Sequence, residues 1–301
     1  MQQVDEELRR DGISIPARPI KAILKVSAKY GLRLRLFPLP DAPPSPGSYY
    51  GDDLAIRINN WFVERYGKKL SPDWSPGHTI INIRGDLYRL ILPRFYGKAI
   101  IVADPQAHGK DIYPNLSMGN QLLKINILEY VDDLEPEFSK ALKPEELHHL
   151  ILIANSQITR FSVIESLKDS ELGGIAQANL RSAVDYALAS PPQYGPSRWE
   201  SLQGVEKIMK VYLDEMGFSY PRTHDARKLA GIGSLERTAG LSEHLLAAVY
   251  CNASVRYEDR STSNEAVYAH YVACEICFKV IKAMMRADGY RGTKGSSPRA
   301  S

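Results

Sequence analysis

Lys207, His224 and Arg256 are three basic side chains, each followed or preceded by an acid: Glu206-Lys207, His224-Asp225, and Arg256-Tyr257-Glu258. Brought together by a helical fold, they suit the phosphate of a nucleotide or of an RNA backbone. An arginine grips such a group through two parallel N–H donors, and a lysine acts on it as a point charge. The same residues also suit a purely structural task. Arg256 can pair with Glu206 or Asp225 and lock a corner, or cap the open carbonyls of a helix end. Three carboxylates, Glu206, Asp225 and Glu258, stand beside the three bases. A charge-balanced cluster is a poor phosphate trap, so the residue types favour the clasp, with Tyr257 beside it.

Other spacings carry less chemistry. Cys274 and Cys277 fall three apart with no second pair, and on a helix that spacing marks one face, commonly a buried one. His148 and His149 are adjacent, which on a helix turns them away from each other and makes poor chelation geometry. The stretch "GSYYGDD" (47–53) invites comparison with a nucleotidyltransferase signature. Its carboxylates are adjacent, however, whereas two metal ligands on one strand face must alternate. It reads as a loop entering a helix, with Asp52 or Asp53 as the cap. "RGD" (84–86) reads as a turn. No metal site and no cofactor is expected.

The elements that must position these residues are legible from periodicity. Ile20, Ile23 and Leu24 give a helix over 17–30, which Gly31 can stop. "LRLRLF" (32–37) alternates like a strand, and the Pro-rich 38–48 reads as an extended loop. Leu54, Ile58, Trp61 and Phe62 mark a second helix ending near Gly67. Three β-like runs, 79–84, 87–92 and 98–103, predict a three-stranded antiparallel meander, with Gly85-Asp86 as the first tight link. Pro144 suits a first helical position, followed by Glu145 and Glu146, and an apolar face runs from Leu147 to Ile164. Helices are expected near 175–189, 198–216, 223–230, 240–253 and 263–286. Thr262 and Glu265 form a capping box at the start of the last, so the polar stretch before it is explained as helix-start chemistry.

The totals set bounds. The chain has 301 residues, 44% hydrophobic and 24% charged, which fits a globular protein of two domains. The apolar runs are too short to span a bilayer, the N-terminus lacks a signal-like core, and three cysteines are too few for a disulfide framework. A reducing cytoplasm and no membrane partner are therefore expected. The net charge of +3 resides in residues 286–301, where four cations face one carboxylate. The neutral body lacks the basic composition typical of a duplex-binding domain.

With these elements in order, residues 202–231, then "LLAAVYCNASVRYEDR" and a long last helix, resemble the HEPN family. The residues that carry the likeness are Glu206-Lys207, His224-Asp225 and Arg256-Tyr257. The family consists of small helical bundles in prokaryotic defence and toxin–antitoxin systems, often beside a nucleotidyltransferase. The resemblance implies a homodimer through the bundle and a nucleotide, RNA or nucleotidyltransferase partner. HEPN ribonucleases carry an Arg followed a few residues later by a His; the Arg steadies phosphate charge and the His moves the proton of the attacking 2′-hydroxyl. Arg260 and His270 are too far apart for that motif, leaving Arg237 and His244, with six residues between them, as the alternative catalytic pair.

The reading is an α+β protein. Residues 1–140 form an α+β domain with a small antiparallel meander, 141–172 a connecting helix, 173–286 an all-helical HEPN-like bundle, and 287–301 a disordered basic tail. The expected function is non-catalytic binding or assembly in a defence, toxin–antitoxin or mobile-element setting. A metal-independent endoribonuclease using Arg237 and His244, and a nucleotide-binding partner of a separate transferase, are the alternatives.

Overall fold

The computed structural model describes residues 1–34, 44–70, 75–95, 97–109, 123–257 and 260–294; of these, the side chains of 68, 69 and 288–294 are left aside. The chain is α+β and divides into two compact units, Met1–Trp74 and Ser75–Ser301. Among the described residues, no helix is long and apolar enough to cross a membrane.

The first unit consists of α1 (Gln2–Arg10), α2 (Arg18–Tyr30) and α3 (Gly51–Tyr66) around a small core of Leu8, Ala22, Ile23, Ala55, Ile58 and Phe62. Helix α2 ends as its sequence directs, with Gly31 in the left-handed region at φ 63°. A buried polar knot ties the three helices. Asp5, 3% exposed, accepts hydrogen bonds from Tyr66 Oη at 2.5 Å and Arg18 Nη1 at 3.3 Å, while Arg18 Nε donates to the Ile13 carbonyl at 2.9 Å. Residues 32–34 form no strand, and 35–43 lie outside the described residues, as does that part of the expected strand and loop. At the start of α3 the N-cap is Tyr50, not either aspartate. Asp53 lies in the first turn, and its carboxylate accepts from the Ser45 N–H at 3.1 Å.

The second unit begins with a hairpin of β1 (His78–Ile83) and β2 (Asp86–Ile91), antiparallel and in register from His78 opposite Ile91 to Ile83 opposite Asp86. The two-residue link is Arg84-Gly85, one residue earlier than the Gly85-Asp86 expected. Both linking residues have positive φ, 56° and 101°, the twist that a tight hairpin requires, and Asn82 Oδ1 accepts from the Gly85 N–H at 2.9 Å.

The expected third meander strand does not join this hairpin. Strand β3 (Ala99–Val102) pairs in parallel with β4 (Leu123–Asn126) as a separate sheet. Two features explain the change. Pro93, just past β2, has no N–H to extend a ladder. The outer edge of β2 is already taken by a later segment: Val131 bridges Leu90, and the Asp132 N–H donates to the Arg89 carbonyl at 2.8 Å.

Helices α4 (Pro136–Lys140), α5 (Pro144–Ile164), α6 (Glu171–Ala187), α7 (Tyr194–Glu215), α8 (Ala226–Gly231), α9 (Leu235–Ala239), α10 (Glu243–Val249) and α11 (Ser263–Lys294) complete the unit. Pro144 does open α5. The capping box forms at α11, where Thr262 N–H donates to Glu265 Oε2 at 2.8 Å and Glu265 N–H donates to Thr262 Oγ1 at 3.3 Å. The long helix α11 continues to Lys294, so part of the stretch expected as a structureless tail is helical; 295–301 lie outside the described residues.

The expected boundary at 140 also shifts. Ile81, Leu90 and Ile101 from the strands share one core with Leu150 and Phe161 of α5, Leu180 of α6, Met209 of α7 and Ile281 of α11. The α5 helix is therefore a wall of this core and not a connector between two bodies. A hairpin alone is marginal in water, and this one gains stability by burying its apolar face on helices. Gly77 lets it approach: a Cβ there would lie 2.1 Å from the Phe161 ring. Arginines fasten the rim, Arg84 to Glu146 at 2.7 Å and Arg89 to Asp185 at 2.9 Å, and Tyr271 Oη donates to the Ile80 carbonyl.

Candidate functional site

Helix α7 supplies the base of the site. Trp199, Gln203, Glu206, Lys207 and Lys210 follow the three-and-four spacing that places side chains on one helix face. His224 comes from the segment just before α8, and Arg256 ends a single 3-10 turn, Ala253–Arg256, whose first residues are held by Asn252 Oδ1 accepting from the Ser254 N–H. Three chain segments distant in sequence thus converge.

Glu206 is 1% exposed, yet every side of its carboxylate is met. Lys210 Nζ lies 2.5 Å and Lys207 Nζ 3.2 Å from Oε1, while His224 Nδ1 at 2.7 Å and Gln203 Nε2 at 2.9 Å face Oε2. Burial acts to raise the pKa of this carboxyl, but the hydrogen bonds from Lys210 and His224 and the charge of Lys207 outweigh it, and the net shift is downward. A carboxylate only accepts, so Nδ1 of His224 carries the hydrogen in this contact.

Arg256 departs from the expected clasp. Among the described residues it pairs with neither Glu206 nor Asp225; Glu258 lies outside them. Its guanidinium lies 4.5 Å above the Trp199 ring and 5.2 Å from that of Tyr257, and Nε donates to the Ala253 carbonyl at 3.2 Å. The side chain is exposed, and among the described residues no hydrogen bond uses its terminal Nη donors. The physical reason is competition: Glu206 is already saturated by Lys207, Lys210 and His224. Asp225 is engaged locally as the N-cap of α8, where Oδ1 accepts from the Arg227 N–H at 3.0 Å. Trp199 is 7% exposed, with His224 at a centroid distance of 5.5 Å. Tyr257, 81% exposed, projects beside Arg256.

Glu206, Lys207 and His224 are thus brought into direct contact, with Arg256 one aromatic ring away. Trp199, Gln203 and Lys210 complete the cluster and were missed from sequence, although their helical offsets from Glu206 carry the signal. Arg237 and His244 are treated differently by the fold. They lie on separate short helices, α9 and α10, divided by Gly240 at φ 63° and by Ser242, which caps α10. Both are exposed, and His244 Nε2 meets Tyr268 Oη at 2.9 Å.

The remaining motifs take structural places. Cys274 and Cys277 are fully buried, with burial pushing the Cys274 thiol up to about 12 and raising that of Cys277 as well. His148 and His149 are exposed on α5. Among the described residues, no group of three His, Cys, Asp or Glu side chains is placed to hold a metal ion. No protein-family model matches the chain, and neither a curated protein nor a solved structure is significantly similar to it.

Proposed function

We propose that the second unit is a non-catalytic, HEPN-like binding module that takes the phosphate of a nucleotide or an RNA strand on the face around Arg256 and Lys207. The observation that carries this reading is the state of Arg256: an exposed guanidinium stacked on Trp199, with no carboxylate partner among the described residues. Stacking on an aromatic face fixes the planar group without consuming its terminal donors, the arrangement that suits a bidentate grip on phosphate. Beneath it, the buried Glu206 holds Lys207 and His224 in place while its own charge is covered. The exposed ring of Tyr257 offers a stacking surface for a base. Assembly as a homodimer through the bundle, a nucleotidyltransferase partner, and a prokaryotic defence, toxin–antitoxin or mobile-element setting belong to this proposal through the sequence resemblance alone.

The test is fluorescence anisotropy of the full chain with labelled single-stranded RNA, with ATP as competitor. Arg256→Ala is expected to weaken binding by roughly tenfold, in line with about 1–2 kcal/mol for a charge-assisted or stacked contact. Competition by ATP assigns the site to nucleotide, and its absence to RNA. Equal binding by Arg256→Ala and Lys207→Ala would refute the reading. RNA cleavage in EDTA that disappears in His244→Ala would replace it with the ribonuclease alternative.

A further inference from the structure

The first unit contains a feature that phosphate binding in the second does not use. Helices α1, α2 and α3 leave between them a cavity of about 690 Å³. Its walls are apolar: Val4, Val26, Leu54, Ile58 and Trp61. All but Ile58 are only partly buried, although they adjoin the small core of the unit. The volume lies within the range of small-molecule sites, which combine an apolar interior with a few placed polar groups.

Charge at the rim narrows the occupant. The side chains lining the cavity include three cations, Lys25, Lys29 and Arg57, against a single carboxylate, Glu7. Glu7 pairs directly with Lys25, at 2.6 Å, and its charge acts more weakly on Arg10 and Lys29. Arg57 is held by the carbonyls of Ser48 at 2.9 Å and Ser45 at 2.7 Å and lies 4.9 Å from the Tyr49 ring. Carbonyls orient a guanidinium without neutralising it. Asp53 adds a weak opposing field on Arg57 and keeps its charge while its carboxylate accepts from the Ser45 N–H. Lys29 Nζ lies 5.5 Å from the Tyr30 ring and forms no ion pair among the described residues.

We infer that this cavity binds a small amphipathic anion: a slim apolar body of the acyl-chain kind, with one carboxylate head placed between Lys29 and Arg57. The apolar walls would bury the tail and complete the thin core of the unit. The cationic rim would select an anionic head over a cationic one of the same tail length.

Calorimetric titration of the full chain with dodecanoate, below its micelle concentration, is the test. Saturable one-to-one binding is expected, with dodecyltrimethylammonium roughly tenfold weaker or worse. Lys29→Glu, an exposed change, is expected to weaken dodecanoate by roughly tenfold. Val26→Trp, which fills the cavity, is expected to abolish binding while the helical circular dichroism is kept. If Val26→Trp unfolds the chain, Leu54→Phe provides the same readout. Non-saturating uptake, equal binding of the cationic detergent, or unchanged affinity in the filled variant would each overturn the assignment.

Discussion

His270, on α11, shows what burial does to a single group. It is fully buried, and its Nε2 lies 3.8 Å from Cys274 Sγ. Desolvation lowers its pKa to about 4; a backbone hydrogen bond with His78 opposes the shift, and the charge of His78 adds to it. The sign follows from linkage. Below the ordinary histidine value the unfolded chain takes up a proton that the native state refuses. Stability is therefore full above about pH 6.5 and falls as pH drops toward 4. The depressed carboxyls of Glu206 and Glu146 titrate below their ordinary value of 4.5, so those two contribute little between pH 6.5 and 5, and comparison with a His270 variant separates this residue from the other histidines. Over that window the native protein is expected to lose about 2 kcal/mol through this residue. His270→Leu should remove that share. Urea midpoints measured across the window check it, and equal pH slopes in the two proteins would contradict it. Nothing in the local sequence around His270 distinguishes it from an exposed helical histidine such as His149; only the packing does.

At the scale of elements, the hairpin's seat on α5 is the decisive contact. The sequence marks β1 and β2 by alternation and marks the turn by its glycine. It does not mark Gly77, whose role is to admit the Phe161 ring at a distance no Cβ permits. Gly77→Ala is expected to destabilise the second unit by about 1–3 kcal/mol through overpacking. Phe161→Leu in the same chain should recover part of that loss, because both changes act on one contact. Chemical denaturation of the two single variants and the double variant checks the cycle; strict additivity would show that the approach is unimportant. The missing meander strand teaches a related lesson. Residues 98–103 have the right composition for a strand, and a strand does form there. Its partner was decided by which edge stood open, and the segment at Val131 had closed the edge of β2.

At the scale of the whole molecule, two separate cores predict two separable responses. The first unit rests on a small apolar cluster and on the Asp5–Arg18–Tyr66 knot. Removing one member of a buried ion pair leaves the other charge uncompensated, typically at about 3–5 kcal/mol. Asp5→Ala should therefore erase hydrogen-exchange protection in α1–α3 while protection in α7 and α11 persists. Uniform loss along the chain would mean that the units are one cooperative body. The proposed phosphate face, by contrast, depends on segments drawn from α7, the approach to α8 and the turn before α11, all within the second unit.

What the sequence determined by itself was local. Gly31 ends α2, Pro144 opens α5, Thr262 and Glu265 cap α11, and the periodicity of α7 is set by its own residues, because each of these depends on groups within a few positions of one another. It also flagged Glu206, Lys207, His224 and Arg256 as a set. Tertiary structure alone decided their partners. Glu206 had several cations within reach and took Lys207, Lys210 and His224, leaving Arg256 to lie on Trp199. Periodicity reports which face of an element is buried, but charges separated by tens of residues choose partners by distance and desolvation, and both exist only once the chain has folded.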